Sequence, residues 1–398
     1  MKRFFTGGLL LLAGLVILTI GSLSHAKEDF LPIPKPLGGE VKFRVNKSNV
    51  EQYKSMMPEG LYQMIKEWDY SINVHETVND FSFPKEYEEA TEKYKGTVRI
   101  NKRGGIENYA GGLPFPEPKT GAEVMWNYEY KYLGDDFYYV GDASIMSTSG
   151  RERKLGLNYT RLAYESRIKL DPKPSIPDPN NVEIKEISRF TYPEDIAGMA
   201  LLTARYRDPS KGDDGWMYIP TIRRVRRISV AQRGDSSGGM DWTWDDYRGF
   251  SGKISDYTWK IVGKKEIIVP FHAPTHNPKH KGITFHPDEV RYELRTVWII
   301  DGVNIDKSYV YSKRRSYVDI YSYDVMAADL WDRKGTLWKY IDISNSADTN
   351  NHISYTVFGA AYDLIGHRST LVYNIKCRLN SGLKEGYFTS TNLQSTSR

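Results

Sequence analysis

A chain of 398 residues with 55 Lys and Arg against 50 Asp and Glu is close to charge balance, which by charge alone excludes a nucleic-acid binder. Its single cysteine, Cys377, excludes an intrachain disulfide framework, so the fold must rest on a conventional core. The 29 tyrosines and 9 tryptophans suit pleated, half-buried faces and point to strands.

At the start of the chain, Lys2 and Arg3 precede an uncharged run from Phe4 to Leu23, and Ser24-His25-Ala26 follows as a small-x-small motif. This pattern predicts a signal peptide at residues 1–26, cleaved after Ala26; the alternative is an uncleaved anchor, because the run is just long enough to span a bilayer. No cysteine stands at the cleavage site to take a lipid. The expected product, residues 27–398, is an exported, soluble protein of one elaborated domain. Pro32, Pro34 and Pro36 mark an extended lead-in. Val50 to Tyr70 has helical spacing in pieces, interrupted at Pro58, and Pro84 to Lys95 predicts a second helix with Pro at its first turn and acids early. Gly104 to Gly121 is too rich in Gly and Pro for regular structure.

From Trp126 strands dominate. Tyr128, Tyr130 and Tyr132 alternate with Glu129 and Lys131, Gly134 to Asp136 form a turn, and Phe137 to Val140 return, which predicts a hairpin. Further strands are expected near Leu157–Leu170, Val182–Tyr192 and Ala200–Tyr206. The loop with Pro172, Pro174, Pro177 and Pro179 is a possible internal boundary near residues 171–181.

Gly215 to Ser229 is the most distinctive stretch. An aromatic strand with Trp216 and Tyr218 meets Pro220, and a second strand carries Arg223, Arg224, Arg226 and Arg227. Such a density of guanidinium groups engages an anion, is neutralised internally, or stays solvated. One reading makes the four arginines a rim for an anionic head group, with Trp216, Tyr218, Trp242 and Trp244 lining an apolar cavity. The other has Asp241, Asp245 and Asp246 neutralise the arginines and fix a hairpin.

Downstream, the loop Phe271 to Pro287 holds His272, His276, His280 and His286. Pro274 and Pro278 forbid the helix on which that spacing would build a metal site, so a solvated loop without metal is expected. In Tyr292 to Ile300 an apolar face (Tyr292, Leu294, Trp298, Ile300) opposes Arg291, Glu293 and Arg295, and Asp332 to Gly335 predicts a hairpin turn. Strict alternation from Leu371 to Leu379 makes Cys377 a packed small hydrophobe. About a dozen strands against a few helices imply a large, curved antiparallel sheet with helices covering one face. No nucleophile elbow, phosphate loop, zinc-protease motif or dinucleotide fingerprint is present, and neither catalytic residues nor a cofactor are assigned.

The stretches YAGGLPFPEPKTGAEVMWN, DDGWMYIPTIRRVRRIS, DWTWDDYRGFSGKI, RYELRTVWII, YVYSKRRSYVD and DRKGTLWKY, in this order, resemble the domain-of-unknown-function family 1329 across most of the chain past residue 26. The resemblance implies exported Gram-negative proteins with a fold similar to the LolA/LolB lipoprotein carriers, an open half-barrel with helices over an apolar hollow. It also implies a soft functional expectation: a periplasmic carrier or chaperone for lipid, lipoprotein acyl chains or another hydrophobic molecule bound for the outer membrane. The alternative is a non-enzymatic accessory of an RND-type export system, with an inner-membrane exporter or an outer-membrane protein as partner. The chain is about twice the length of the carriers proper, and its arginine cluster maps onto no carrier residue.

Overall fold

The computed structural model describes residues 30–32, 37, 39–229 and 233–395, and the leader expected at residues 1–26 lies outside them. First come β1 (Val41–Val45), α1 (Val50–Tyr53), α2 (Glu59–Glu67), β2 (Ile72–His75), α3 (Lys85–Tyr94), β3 (Arg99–Ile100), β4 (Ile106–Glu107) and α4 (Gly121–Tyr130). A run of strands follows: β5 (Asp136–Ser147), β6 (Glu152–Ala163), β7 (Val182–Tyr192), β8 (Ala200–Tyr206), β9 (Asp214–Ile219) and β10 (Arg224–Ile228). The second half holds β11 (Tyr257–Pro270), β12 (His280–Lys281), β13 (Thr284–Phe285), β14 (Arg291–Asn304), β15 (Lys313–Asp319), β16 (Val325–Trp331), β17 (Leu337–Asp348), β18 (Ile353–Asp363), β19 (Arg368–Leu379) and α5 (Ser390–Ser395).

Fifteen strands form one curved, open sheet in the order β1-β2-β14-β15-β16-β17-β18-β19-β5-β6-β7-β8-β9-β10, with β11 on the other edge of β14. All its pairings are antiparallel except β2 with β14. Strands β2 and β15 share one edge of β14, at Arg291–Glu293 and Val297–Gly302, while β11 runs the length of the opposite edge from Tyr292 to Asn304. The proline-rich loop after β6 joins two directly paired strands of this sheet.

Both faces of the sheet are apolar. Met217 packs with Leu201 on one side, while Trp216 and Tyr218 pack with Leu202 and Ala204 on the other. Each face therefore needs a cover, and the helices are divided between them rather than gathered on one. Helix α2 sits so close to β17 that a Cβ on Gly60 would lie 2.4 Å from Tyr340 Cβ. At its start, Asp329 accepts the Glu59 and Gly60 N–H groups at 2.9 and 2.8 Å, satisfying donors a helix leaves open. Near β8 to β10, α5 brings Leu393, and the turn before it Phe388, onto the face of Tyr218. The opposite face carries α4 and the segment from Ser236 to Asp256.

Two expectations are corrected. The alternating tyrosines from Trp126 belong largely to helix α4, not to a hairpin strand. Thr120 and Glu123 form a capping box, and Tyr128, Glu129 and Tyr130 are all buried, so the helix has no solvent face to betray its period. His272 is also not in solvent. It is 3 % exposed, with Nδ1 2.7 Å from Glu293 and Nε2 2.9 Å from Asp80. Arg291 and Arg295 complete this cluster with bonds of 2.8 and 2.9 Å to Glu293. Cys377 is buried, and burial pushes its thiol well above the usual range.

Candidate functional site: an apolar pocket under the Ser236–Phe250 cap

Strands β5, β6, β17, β18 and β19 present Tyr139, Val140, Leu157, Tyr159, Ile343, Gly359, Val372 and Ile375 to one hollow. The hollow is capped by a segment with no helix longer than a few residues, which lays Met240, Trp242, Tyr247 and Arg248 over it. Glycines with left-handed φ stand at the cap's two ends, Gly238 (60°) and Gly249 (88°). A Cβ at Gly238 would fall 2.5 Å from the Phe190 ring, and one at Gly249 would fall 2.7 Å from Val325. Aromatic rings continue the cap into the sheet: Trp244 stacks on Tyr247 at 5.8 Å between centroids, and Tyr247 on Tyr159 at 6.0 Å.

Three aspartates fasten the cap. Asp241 lies 2.8 Å from Arg368 Nε, and its backbone binds Lys339 Nζ and Thr370 Oγ1. Asp245 accepts from Arg233 Nε at 2.7 Å and from Tyr309 OH at 2.8 Å. Asp246 accepts from Thr243 Oγ1 (2.7 Å) and Tyr311 OH (2.8 Å), with Arg314 Nη1 at 3.6 Å. What remains beneath the cap is an apolar pocket of about 80 Å³. That is roughly half the ~150 Å³ of a dry cavity that admits benzene. The chain's own side chains thus fill most of the hollow expected from the sheet's size, and the pocket's outer residues Val140, Leu157, Val372 and Ile375 are half-buried.

Beyond the pocket, toward α4, the same face is ionic. Arg205 lies 3.2 Å from Asp213 and 3.5 Å from Glu129, and Arg161 lies 3.9 Å from Glu186, which also accepts the Tyr159 hydroxyl. Burial, reinforced by Glu129, raises Glu183 to about 8. Burial and the charge of Arg248 push Lys131 well below its ordinary value. Asp324 is the ion-pair partner of Lys131. Arg248 stands at the border of the two regions. It has φ 55° and lines the pocket, with its guanidinium 5.8 Å from the Tyr128 ring centre. Burial alone would lower its pKa, but Tyr128, Tyr159, Glu129 and Glu186 outweigh that and hold it above the ordinary value, so it stays charged.

The structure separates the residues that the sequence grouped. Trp242 lines the pocket, and Trp244 supports it through Tyr247. Trp216 and Tyr218 point to the opposite face, under α5. Arg224, Arg226 and Arg227 are exposed on β10, which among the described residues pairs only with β9 and ends the sheet, and Arg223 is the exposed left-handed residue before it. Within that run Arg227 pairs with Asp214. Asp241, Asp245 and Asp246 pair with Arg368, Arg233 and Arg314 and do not reach the β10 arginines. Arg248, Tyr139 and Tyr159 were not singled out from the sequence. Only Arg248 left a trace there, as the one cation in DWTWDDYRGF.

Compared with known proteins, residues 44–394 match the model of the protein family of unknown function DUF1329. The chain belongs to this family. A Pseudomonas aeruginosa relative, uncharacterized protein PA3922, is 29 % identical over 342 residues, 82 % of this chain and 74 % of that one. Among solved structures, a DUF1329 protein from Desulfovibrio piger superposes with a TM-score of 0.51 at 19 % identity, covering 69 % of this chain and 97 % of its own. A domain from Vibrio parahaemolyticus, assigned to outer membrane lipoprotein-sorting proteins, gives 0.50 at 18 % identity, covering 69 % and 98 %. At these identities the structural likeness shows the fold alone.

Proposed function

We propose that this DUF1329 protein is a periplasmic carrier that shelters a lipid, an acyl chain or another hydrophobic molecule, with the Ser236–Phe250 cap as its lid. The observation that carries this reading is the apolar pocket with a half-buried apolar mouth, closed by a segment with left-handed glycines near both ends. Burial of hydrocarbon contributes about 25 cal/mol per Å², so displacing Met240, Trp242 and Tyr247 in favour of a longer chain exchanges one apolar contact for another at small net cost. A full-length chain does not fit the closed space, so loading requires the cap to lift. No helix of the described residues is long and apolar enough to cross a membrane, and the lipoprotein-sorting fold agrees with a carrier. No described residue is assigned to catalysis. The test is mass spectrometry of lipids extracted from protein isolated natively from its host. A stoichiometric lipid is expected, and repeatedly empty preparations would sink the reading.

One observation favours the second reading, an accessory of an RND-type exporter. The edge strand β10 exposes Arg224, Arg226 and Arg227, a cationic stripe suited to an acidic partner surface. Recovery of a stoichiometric membrane partner together with lipid-free protein would select it.

A further inference from the structure

Arg248 carries a charge that nothing around it neutralises by contact. Its Nε and Nη1 are closed off from solvent and make no hydrogen bond to any described residue. The carboxylates nearest in effect are engaged elsewhere: Glu186 with Tyr159 and Arg161, Glu129 with Arg205. A left-handed backbone is uncommon for a residue of this size. Here it brings the side chain to the wall of a pocket otherwise lined by aromatic and aliphatic groups. Arg248 is half-buried, and its unused N–H donors stand at the wall of the pocket, where an arriving anion would find charge-assisted bonds.

We infer that the pocket takes the acidic head group of a single-chain amphiphile, a carboxylate or phosphate monoester, with the head on Arg248 and the hydrocarbon tail leaving over Leu157, Val372 and Ile375. This rests on the carrier reading and deepens it by naming the ligand's class and its orientation. The closed pocket of about 80 Å³ has room for a head and the first carbons of a tail. The remainder of the tail crosses the half-buried apolar mouth, the end from which it passes to a membrane or a partner. The head group then binds at the inner end of the hollow, on one arginine, and not on the exposed arginines of β10.

The experiment is calorimetric titration of the full-length mature protein with dodecanoate, dodecyl phosphate, dodecanol and dodecyltrimethylammonium, each below its micellar concentration. Wild type, Arg248→Met and Arg248→Lys are compared. One of the two anions is expected to bind wild type about tenfold or more tighter than dodecanol, as a charge-assisted bond implies. Which anion binds tighter identifies the head. The preference should vanish in Arg248→Met and largely survive in Arg248→Lys. If Arg248→Met fails to fold, the four-ligand series on wild type and Arg248→Lys still decides. Equal binding of all four ligands, or an anion preference that survives Arg248→Met, overturns the head-group assignment while the carrier reading stands. Binding of none of them overturns both.

Discussion

Arg226 and Arg248 have the same side chain in opposite settings, and the contrast shows why charge density in a sequence is a poor guide to a site. Arg226 is exposed on an edge strand, where cations discourage pairing with another sheet and where substitution changes stability little. Asp246 is the contrasting case among the acids, since it is fully buried and holds Thr243, Tyr311 and Arg314 together beneath the cap. Removing one member of such a buried charge group leaves the others uncompensated. Asp246→Ala is therefore expected to destabilise the protein by about 3–5 kcal/mol, measured by urea denaturation. A loss below about 1 kcal/mol would mean that Asp246 is not what fastens the cap. The aromatic and acidic character of the cap was legible in the sequence. The importance of Arg248 was not, because it lies in a missing partner, and partners are a property of the folded chain.

At the scale of elements, legibility followed solvent. The strand ending in Cys377 was plain because its alternation is strict, and α2 and α3 were plain because each keeps a wet face. Helix α4 was misread because Glu129 and Lys131 are buried beside the tyrosines, so polarity carried no information about direction. The signal that was available is Thr120 followed three residues later by Glu123, and its contribution can be measured. Thr120→Ala should cost about 1 kcal/mol, the usual worth of an N-cap side chain, in the same denaturation assay. An unchanged midpoint would show that packing against β11 alone holds the helix start. The cap offers the complementary test. Trp242→Ala removes a ring that fills the pocket, with an expected loss of about 3–5 kcal/mol and an enlarged apolar cavity. If the cap occupies ligand space, this variant should show stronger fluorescence of a bound naphthylamine probe than wild type. A variant that is destabilised yet no more receptive to the probe would make Trp242 core only.

At the scale of the whole molecule, the strand-rich class was legible from composition and the sheet order was not. Strand β5 pairs with β19 across more than 200 residues of chain, and no local pattern announces such a pairing. What that topology encloses has a consequence for pH. Burial raises Asp329 to about 6, against the opposing bonds from Gly60, Tyr317 and Glu59. It raises Asp342 to about 7, with Tyr292 donating to it, and Glu183 to about 8. Each of these acids keeps its proton in the folded state at a pH where the unfolded chain, with carboxyl pKa values of about 4, has released it. The folded state then binds more protons, so stability falls as pH rises from about 4 toward 8. Glu293 has the opposite sign. Burial alone would raise it, but His272, Arg291 and Arg295 outweigh burial and bring it to about 2, so its contribution is complete above about 4.5 and is lost as pH falls toward 2. Together they place the stability maximum near pH 4 to 5, with a decline on the alkaline side carried by Asp329, then Asp342, then Glu183. Urea midpoints measured from pH 3 to 9 should trace that asymmetric curve. Asp342→Asn, which keeps the shape and cannot ionise, should flatten the portion between about 4 and 7, and a midpoint that rises steadily to pH 8 in wild type would show that these interior acids are ionised in the folded protein.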